Sequence, residues 1–283
     1  MTANKHVNVL IIGGGCAGIS VATRIKRLKS NATVAIVEPS DTSYYQAAWT
    51  LVGAGAYDAA ATRKSMQSVM PSGVTWVKAY AESFDPGNNQ VATSDGTWAY
   101  DTLVVCPGLK LDFDGVEGLS AALGKNQVCT NYTYEMAQYT WQCLQGFESG
   151  TALFTEPPMP IKCAGAPQKI AYLAADHLRQ KRALADCHLE YACAKPVIFG
   201  VPYFQKPLND VCDDYGIERS FGHNLVAIDG EAKEAVFKVT PAEGEPPEVV
   251  KPFDFIHVTP PQTAPDFIKA SPLADEAGWV DVD

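Results

Sequence analysis

The sequence holds 283 residues, 47% hydrophobic and 19% charged, with a formal charge of −10 at neutral pH. That length accommodates about two domains with real cores, and the composition is not that of a disordered chain. The acidic balance argues against nucleic acid as a main partner, and no run of about eighteen apolar residues exists to cross a bilayer.

In chain order, Val7-Asn-Val-Leu-Ile-Ile12 reads as a buried strand. Gly13-Gly-Gly-Cys-Ala-Gly18 follows at once, so Gly13, Gly15 and Gly18 fit G-x-G-x-x-G, with Cys16 and Ala17 in its variable positions. A helical pattern comes next, with Ile19, Ala22, Ile25 and Leu28 on one face. Thr33-Val-Ala-Ile-Val37 is a second strand, closed by Glu38. Strand, glycine turn, helix, strand and acid in this order predict a dinucleotide site. The first glycine permits the tight turn, the second admits the pyrophosphate, and the third lets helix and strand pack closely. The pyrophosphate is expected on the helix N-terminus, and Glu38 on the ribose hydroxyls. A glycine-rich loop in some other α/β domain is the blander alternative.

Further along, Val74–Val77 opens a β-rich section, with tight turns expected at 85–89 and 94–96. Leu103-Val-Val-Cys106 reads as a buried strand stopped by Pro107-Gly108. A second unit is expected from about 116, with a helix near Tyr134–Leu144 and a strand at Thr151–Thr155. Strands are also expected at 189–193, 196–199, 235–239 and 253–258, with a solvent turn at 241–247. Gly278-Trp-Val-Asp-Val-Asp283 reads as a strand entered and not finished.

Between strand 151–155 and a helix over Ile170–Leu178 lies Pro160-Ile-Lys-Cys-Ala-Gly-Ala-Pro-Gln-Lys169. Cys163 therefore falls at a helix N-terminus, with Lys162 beside it in sequence. Both the dipole and the ammonium favour a thiolate, the form that attacks sulfur or carbon. The eight cysteines, Cys16, Cys106, Cys129, Cys143, Cys163, Cys187, Cys193 and Cys212, are never closer than six apart. That removes C-x-x-C redox motifs and the usual zinc spacing, and no metal is expected. Most of these thiols are expected to be buried and inert.

With these residues in view, the chain resembles the sulfide:quinone oxidoreductases, of the type that includes the mitochondrial enzymes, within the FAD-dependent disulfide-reductase superfamily. The resemblance is carried by Tyr44-Tyr-Gln-Ala-Ala-Trp-Thr-Leu-Val-Gly-Ala-Gly55, by 160–169, by His257-Val-Thr-Pro-Pro261 and by Ala277–Asp283. It implies an α/β fold with two Rossmann-like nucleotide-binding domains and the C-terminal region missing. The implied domains are a first part of an FAD domain at 1–115, a second domain carrying Cys163 at 116–258, and the start of a return segment at 259–283. FAD is the implied cofactor, with Gln46 and the Pro107-Gly108 loop as further contacts. The resemblance implies that sulfide is oxidised through two redox cysteines, that its sulfane sulfur passes to a small thiol, sulfite or sulfide, and that electrons pass to membrane quinone. Cys163 matches the first of those cysteines, and Cys129, which falls near a flavin-proximal cysteine of some bacterial relatives, is the second catalytic candidate, as a partner for Cys163 within this chain. In the family a G-D motif on FAD, the second redox cysteine and an apolar membrane-docking segment follow Asp283, so the chain is expected to be truncated.

Two other readings stay open. One is a flavocytochrome sulfide dehydrogenase subunit or a type II NADH:quinone oxidoreductase. NADH use predicts a second glycine fingerprint near 151–165, where Thr155-Glu-Pro-Pro-Met-Pro160 stands instead, and prolines there remove phosphate-binding N–H groups. Another is a non-catalytic FAD-binding remnant. The first residues run directly into a strand, so no secretory signal or transit peptide is expected. This favours peripheral attachment to the cytoplasmic face of a bacterial inner membrane, with the mitochondrial inner membrane as the alternative.

Overall fold

The computed structural model describes residues 5–240, 244 and 247–282. The chain divides into two compact units. One combines Met1–Tyr45, Arg63–Lys110 and Thr263–Asp283, and the other combines Gln46–Thr62 with Leu111–Gln262. The division is not linear: residues 46–62 leave the first unit, and the segment from Thr263 returns to it.

The first unit is built on β1 (Lys5–Ile12), α1 (Cys16–Leu28), β2 (Val34–Val37), β3 (Thr75–Val77), β4 (Ala81–Asp85), β5 (Gln90–Thr93) and β6 (Gly96–Val105). Its six-stranded sheet runs β3-β2-β1-β6-β5-β4. β3, β2, β1 and β6 are parallel, and β5 and β4 form antiparallel hairpins on the β6 side. All four residues of β2 are buried, as a parallel strand covered on both faces requires. The hairpin turns fall where expected. Asp85 accepts from the Asn88 N–H at 3.2 Å, and Gly96 adopts φ +103°. The returning segment places Ile268 in this unit's core and stacks Phe267 on Phe84.

The second unit contains α2 (Trp49–Gly53), β7 (Val128–Cys129), α3 (Tyr134–Gly146), β8 (Gly150–Glu156), α4 (Ala166–Lys181), β9 (Cys187–Cys193), α5 (Pro202–Tyr215) and β10 (Glu218–Phe221). Beyond these lie β11 (His223–Asp229), β12 (Glu234–Val239), β13 (Glu248–Pro252) and β14 (Phe255–His257). A five-stranded parallel sheet runs β7-β14-β8-β9-β10, and β11-β12-β13 form a separate antiparallel sheet. The alternation of parallel strands and helices is the doubly wound α/β arrangement expected from the sequence.

Four local expectations are corrected. Pro196–Phe199 is a bend and not a strand: Pro196 cannot donate to a ladder, and the Ile198 carbonyl is taken by the Gln168 side chain at 3.2 Å. Phe253–Val258 shortens to β14, because Asp254 turns its N–H to the Thr151 carbonyl. Leu28 ends α1 two-thirds exposed, while Ala22 alone of the four expected face residues is fully buried. Among the described residues 278–282, Val280 makes one isolated bridge to Ala274 and no strand. Helix α5 goes beyond the sequence-based expectations, since Pro207 interrupts its interior. Its legible signals are Pro202 at the first turn and Gly216 in the left-handed conformation just past the end. The turn expected at 241–247 falls mostly outside the described residues.

Candidate functional site

In the first unit, the carboxyl ends of β1 and β6 form a cradle around the glycine fingerprint. Gly13 has φ +101°, and a Cβ there would lie 2.1 Å from the Cys106 carbonyl oxygen. Only glycine lets the turn pass so close to the 106–108 loop. A Cβ on Gly18 would lie 1.9 Å from the Gly13 carbonyl oxygen, so α1 can approach the turn only without one. Gly15 faces open space, and Gly15, Cys16 and Ala17 are all exposed at the start of α1. The free N–H groups and the dipole of a 13-residue helix are thus presented outward, with no side chain capping them.

Glu38, at the end of β2, accepts from the Gly14 N–H and the Ser40 N–H, each at 2.8 Å. A Cβ on Gly14 would meet the Glu38 side chain at 2.7 Å, so this glycine, outside the motif positions, is also held to a small residue. Sequence spacing alone does not mark it. Gly108 is exposed with φ +74°, and Pro107 is half-buried beside Gly13. The structure therefore gathers Gly13, Gly15, Cys16, Ala17, Gly18, Glu38, Pro107 and Gly108 at one end of one sheet. The cradle's shape and donors fit a nucleotide pyrophosphate and ribose.

Gln46 belongs to the second unit, where it meets the cysteine loop. Strand β8 ends at Glu156, the chain turns through the prolines, and α4 begins at Ala166 behind an N-cap at Gly165. Cys163 sits just before that helix, exposed, with φ +56°. Such a conformation is uncommon for a residue with a side chain. It is held by the Cys163 carbonyl, which accepts from the Ala166 N–H at 2.8 Å.

The two neighbouring lysines do different things. Lys169, in the first turn of α4, places Nζ 3.6 Å from the Cys163 sulfur. Lys162 is held by other partners while lining the same cavity as the thiol. Its backbone N–H donates to Gln262, its ammonium donates to Gln46, and that ammonium faces the rings of Trp49 and Tyr132 at 5.6 Å each. Burial pulls its pKa below the usual lysine range. Sequence adjacency points to Lys162 as the partner of Cys163. The side-chain contact belongs to Lys169, six residues on, because the loop between them folds back into the helix.

Beside Cys163 lies a cavity of about 200 Å³ lined by Gln46, Ala47, Trp49, Thr50, Asn131, Tyr132, Lys162, Cys163 and Ala166. Asn131 is 3% exposed, and neither polar atom of its side chain has a hydrogen-bond partner among the described residues. Its backbone N–H donates to His257 Nε2 at 3.0 Å, which requires that nitrogen to be unprotonated. Burial pushes the His257 pKa down to about 3, so the imidazole is neutral and serves to fix the 129–131 turn.

Cys129 does not join this cavity. It is fully buried with Cys143, Phe154 and Phe255, donates to the Ile256 carbonyl at 3.4 Å, and has its pKa raised by that burial. The expectation that it acts beside Cys163 is corrected for this physical reason: the sulfur is out of reach of solvent and disfavoured as a thiolate. Cys143, Cys193 and Cys212 are buried as well, and Cys16 is exposed at the open end of α1.

At the carboxyl ends of β8 and β9, Glu156 is buried, ion-paired with Lys195 and hydrogen-bonded by Tyr191. Burial raises its pKa despite those partners. A carboxylate and prolines stand where a second nucleotide site would need phosphate-binding N–H groups. Among the described residues no cluster of metal-ligating side chains occurs, and no helix is long and apolar enough to cross a membrane.

Residues 7–140 match the pyridine nucleotide-disulphide oxidoreductase family. The mitochondrial sulfide:quinone oxidoreductase of Mus musculus is 41% identical over 283 residues, covering 100% of this chain and 62% of that protein. The mitochondrial enzyme of the same name from Dictyostelium discoideum is 41% identical over 279 residues, covering 97% of this chain and 61% of that protein. The crystal structure of the sulfide:quinone oxidoreductase from Aquifex aeolicus superposes with a TM-score of 0.79 at 20% identity, over 94% of this chain and 61% of its own. At that identity the superposition speaks for the fold. The chain thus spans about three-fifths of the length of the relatives it matches. It has the FAD/NAD(P)-binding disulfide-reductase type of fold, and over its whole length it is similar to the mitochondrial sulfide:quinone oxidoreductases of those organisms.

Proposed function

We propose that this chain carries the FAD-binding and sulfur-handling part of a flavoenzyme that oxidises sulfide and passes electrons to quinone. The single observation that carries the reading is Cys163: an exposed thiol in a left-handed loop at a helix start, contacted by Lys169 and opening onto a cavity. The names of the relatives at 41% identity support the same reading.

Gly13, Gly15, Gly18 and the start of α1 hold the FAD pyrophosphate, and Glu38 takes the ribose, with Cys16, Ala17, Pro107 and Gly108 around them. When bound, FAD supplies the two-electron acceptor between sulfide and quinone. The chain's own groups handle sulfur. Hydrosulfide attacks the disulfide that Cys163 would form with the second redox cysteine implied by the resemblance; their S–S bond breaks, a new one forms to the attacking sulfur, and the other cysteine leaves as thiolate. Lys169 holds the negative sulfur at position 163, and Lys162 gives the adjoining cavity its positive end. Overall, sulfide loses two electrons and two protons to quinone, and its sulfur leaves on an acceptor such as a small thiol, sulfite or sulfide.

Glu156 and the proline loop disfavour the NADH-dependent alternative, because the prolines remove the N–H groups that a pyrophosphate needs at that turn. The relatives' names favour the mitochondrion over a bacterial membrane, and the family resemblance implies peripheral attachment to the inner membrane. The deciding experiment is the anaerobic visible spectrum of the purified protein with added sulfide. Bleaching in the parent and none in Cys163→Ser supports the reading; bleaching retained in Cys163→Ser overturns it.

A further inference from the structure

We propose that Cys129 and Cys143 are a modification site: they close into a disulfide that ties β7 to α3, with sulfane sulfur as the oxidant. The bond rests on the two cysteines alone. Only the natural source of the oxidant rests on the reading of the chain as part of a sulfide-oxidising enzyme.

Position comes first. Cys129 ends β7, and Cys143 lies in the last turn of α3. Both are buried in one apolar cluster, at 0% and 3% exposure. The Cys129 S–H is shared between the Ile256 carbonyl, at 3.4 Å, and the Cys143 sulfur. Thiols already in contact can reach the roughly 2.05 Å of an S–S bond by side-chain rotation. Surroundings come second. Tyr139 hydrogen-bonds Cys143, and Thr140 hydrogen-bonds Cys129. Residues 139, 140 and 143 share one helix face, so α3 turns a polar lining towards the sulfur pair. By contrast Cys193 and Cys212, in the same cluster, face tyrosine hydroxyls. Reactivity comes third. Burial holds Cys129 as the thiol, whereas hydrogen bonds from Cys129 and Tyr139 pull the Cys143 pKa down. Cys143 is therefore the attacking thiolate, and it is also the sulfur nearer the surface.

The chemistry balances with hydrogen disulfide, the smallest carrier of sulfane sulfur. The Cys143 thiolate attacks one of its sulfurs, the S–S bond breaks, and hydrosulfide leaves with the electron pair. Cys143 is then a persulfide. The Cys129 thiol attacks the inner sulfur of that persulfide, the Cys129–Cys143 bond forms, and the outer sulfur leaves with the Cys129 proton as hydrogen sulfide. Two thiols lose two electrons, and one sulfane sulfur is reduced to sulfide. The crosslink braces the wall of the Cys163 cavity. Asn131 and Tyr132, just past β7, line that cavity, as do Trp49 and Thr50 of α2, which packs on α3.

The test uses the purified protein, reduced, freed of reductant and treated anaerobically with sodium disulfide (Na₂S₂). Remaining thiols are blocked with iodoacetamide in urea, and chymotryptic peptides are read by mass spectrometry before and after reduction. Cleavage after Tyr134, Tyr139 or Trp141 separates the two cysteines, so a joined pair reports the bond. Joined peptides and loss of alkylation at both cysteines are expected in the parent and in Cys163→Ser. The urea midpoint of the treated parent should rise and return on reduction, and that of Cys143→Ser should not respond. Two alkylated thiols in the treated parent, or a bond from either to another cysteine, overturn the proposal. The parent decides this alone, whatever the folding of the variants. Sulfide with a quinone then replaces the added Na₂S₂. A bond made by Na₂S₂ but not by sulfide and quinone keeps the modification site and removes the sulfide-oxidising reading as the source of its oxidant.

Discussion

The Lys169 ammonium stands 3.6 Å from the Cys163 sulfur, while Lys162, the neighbour in sequence, points into the adjoining cavity. Both partners of the first contact are exposed, so its strength is that of a surface ion pair, roughly 0.2–1 kcal/mol. Lys169→Met is expected to slow labelling of Cys163 by iodoacetamide about twofold to fivefold at low salt. The difference should vanish near 1 M salt, where screening acts over about 3 Å. A difference that persists at high salt would assign Lys169 a steric role instead.

The glycine cradle separates binding from stability. Gly18→Ala places a methyl 1.9 Å from the Gly13 carbonyl oxygen and is expected to cost about 1–3 kcal/mol. Gly15→Ala meets nothing within 4 Å and is expected to change stability by less than about 0.5 kcal/mol. The same Gly15→Ala should lower bound flavin, because the cofactor approaches at that position. Urea unfolding together with the absorbance of bound flavin reads both effects.

His257 makes stability depend on pH. Its folded pKa is depressed to about 3, against an ordinary value of 6.5. Between those values the unfolded chain binds the proton and the folded chain does not, so stability is lost as pH falls through that window. The slope from this one group is about 1.4 kcal/mol per pH unit at most. His257→Gln, which still offers an oxygen to the Asn131 N–H, is expected to remove that part of the slope. Urea titrations at stepwise pH between about 4 and 7 measure it, and an unchanged slope would contradict a neutral buried imidazole.

Glu156 contributes with its own sign. Its carboxyl is held above the ordinary carboxylate range by burial, so the folded state prefers the proton. Its contribution is present at low pH and lost as pH rises through the raised value. Glu156→Gln should therefore flatten that decline in mildly acidic solution, read as the difference between parent and variant unfolding free energies. It should not create NADH oxidation, because Pro157, Pro158 and Pro160 remain.

Thiol accessibility supplies a further check. Cys163 and Cys16 are exposed, whereas Cys129, Cys143, Cys193 and Cys212 are buried. In the native protein the four buried thiols are expected to stay unlabelled by a thiol reagent until urea unfolds the chain. Rapid native labelling of Cys129 would restore it as a candidate partner of Cys163.

The nucleotide cradle is legible in the order of the residues alone. The run Val7–Ile12, the three glycines and Glu38 share one short stretch, and the contact that reaches across the chain is the approach of the 106–108 loop to Gly13. Local sterics decide such a turn, so Gly13 and Gly18 stand where the pattern places them. Helix α5 is hidden because Pro207 contradicts local propensity, and tertiary packing overrides it by burying Cys212.

The sequence by itself determined the α/β alternation, the nucleotide cradle and the placing of Cys163 at a helix start, because each rests on local periodicity or on a residue's own chemistry. Only the tertiary structure decided which lysine meets Cys163 and that Gln46 and Asn131 share its cavity. It alone showed that Cys129 is sealed away with Cys143. Those relationships join segments up to more than a hundred residues apart, such as Gln46 with Lys162. Charge, burial and hydrogen-bond supply at such a place are properties of the packed neighbourhood, and no spacing along the chain encodes them.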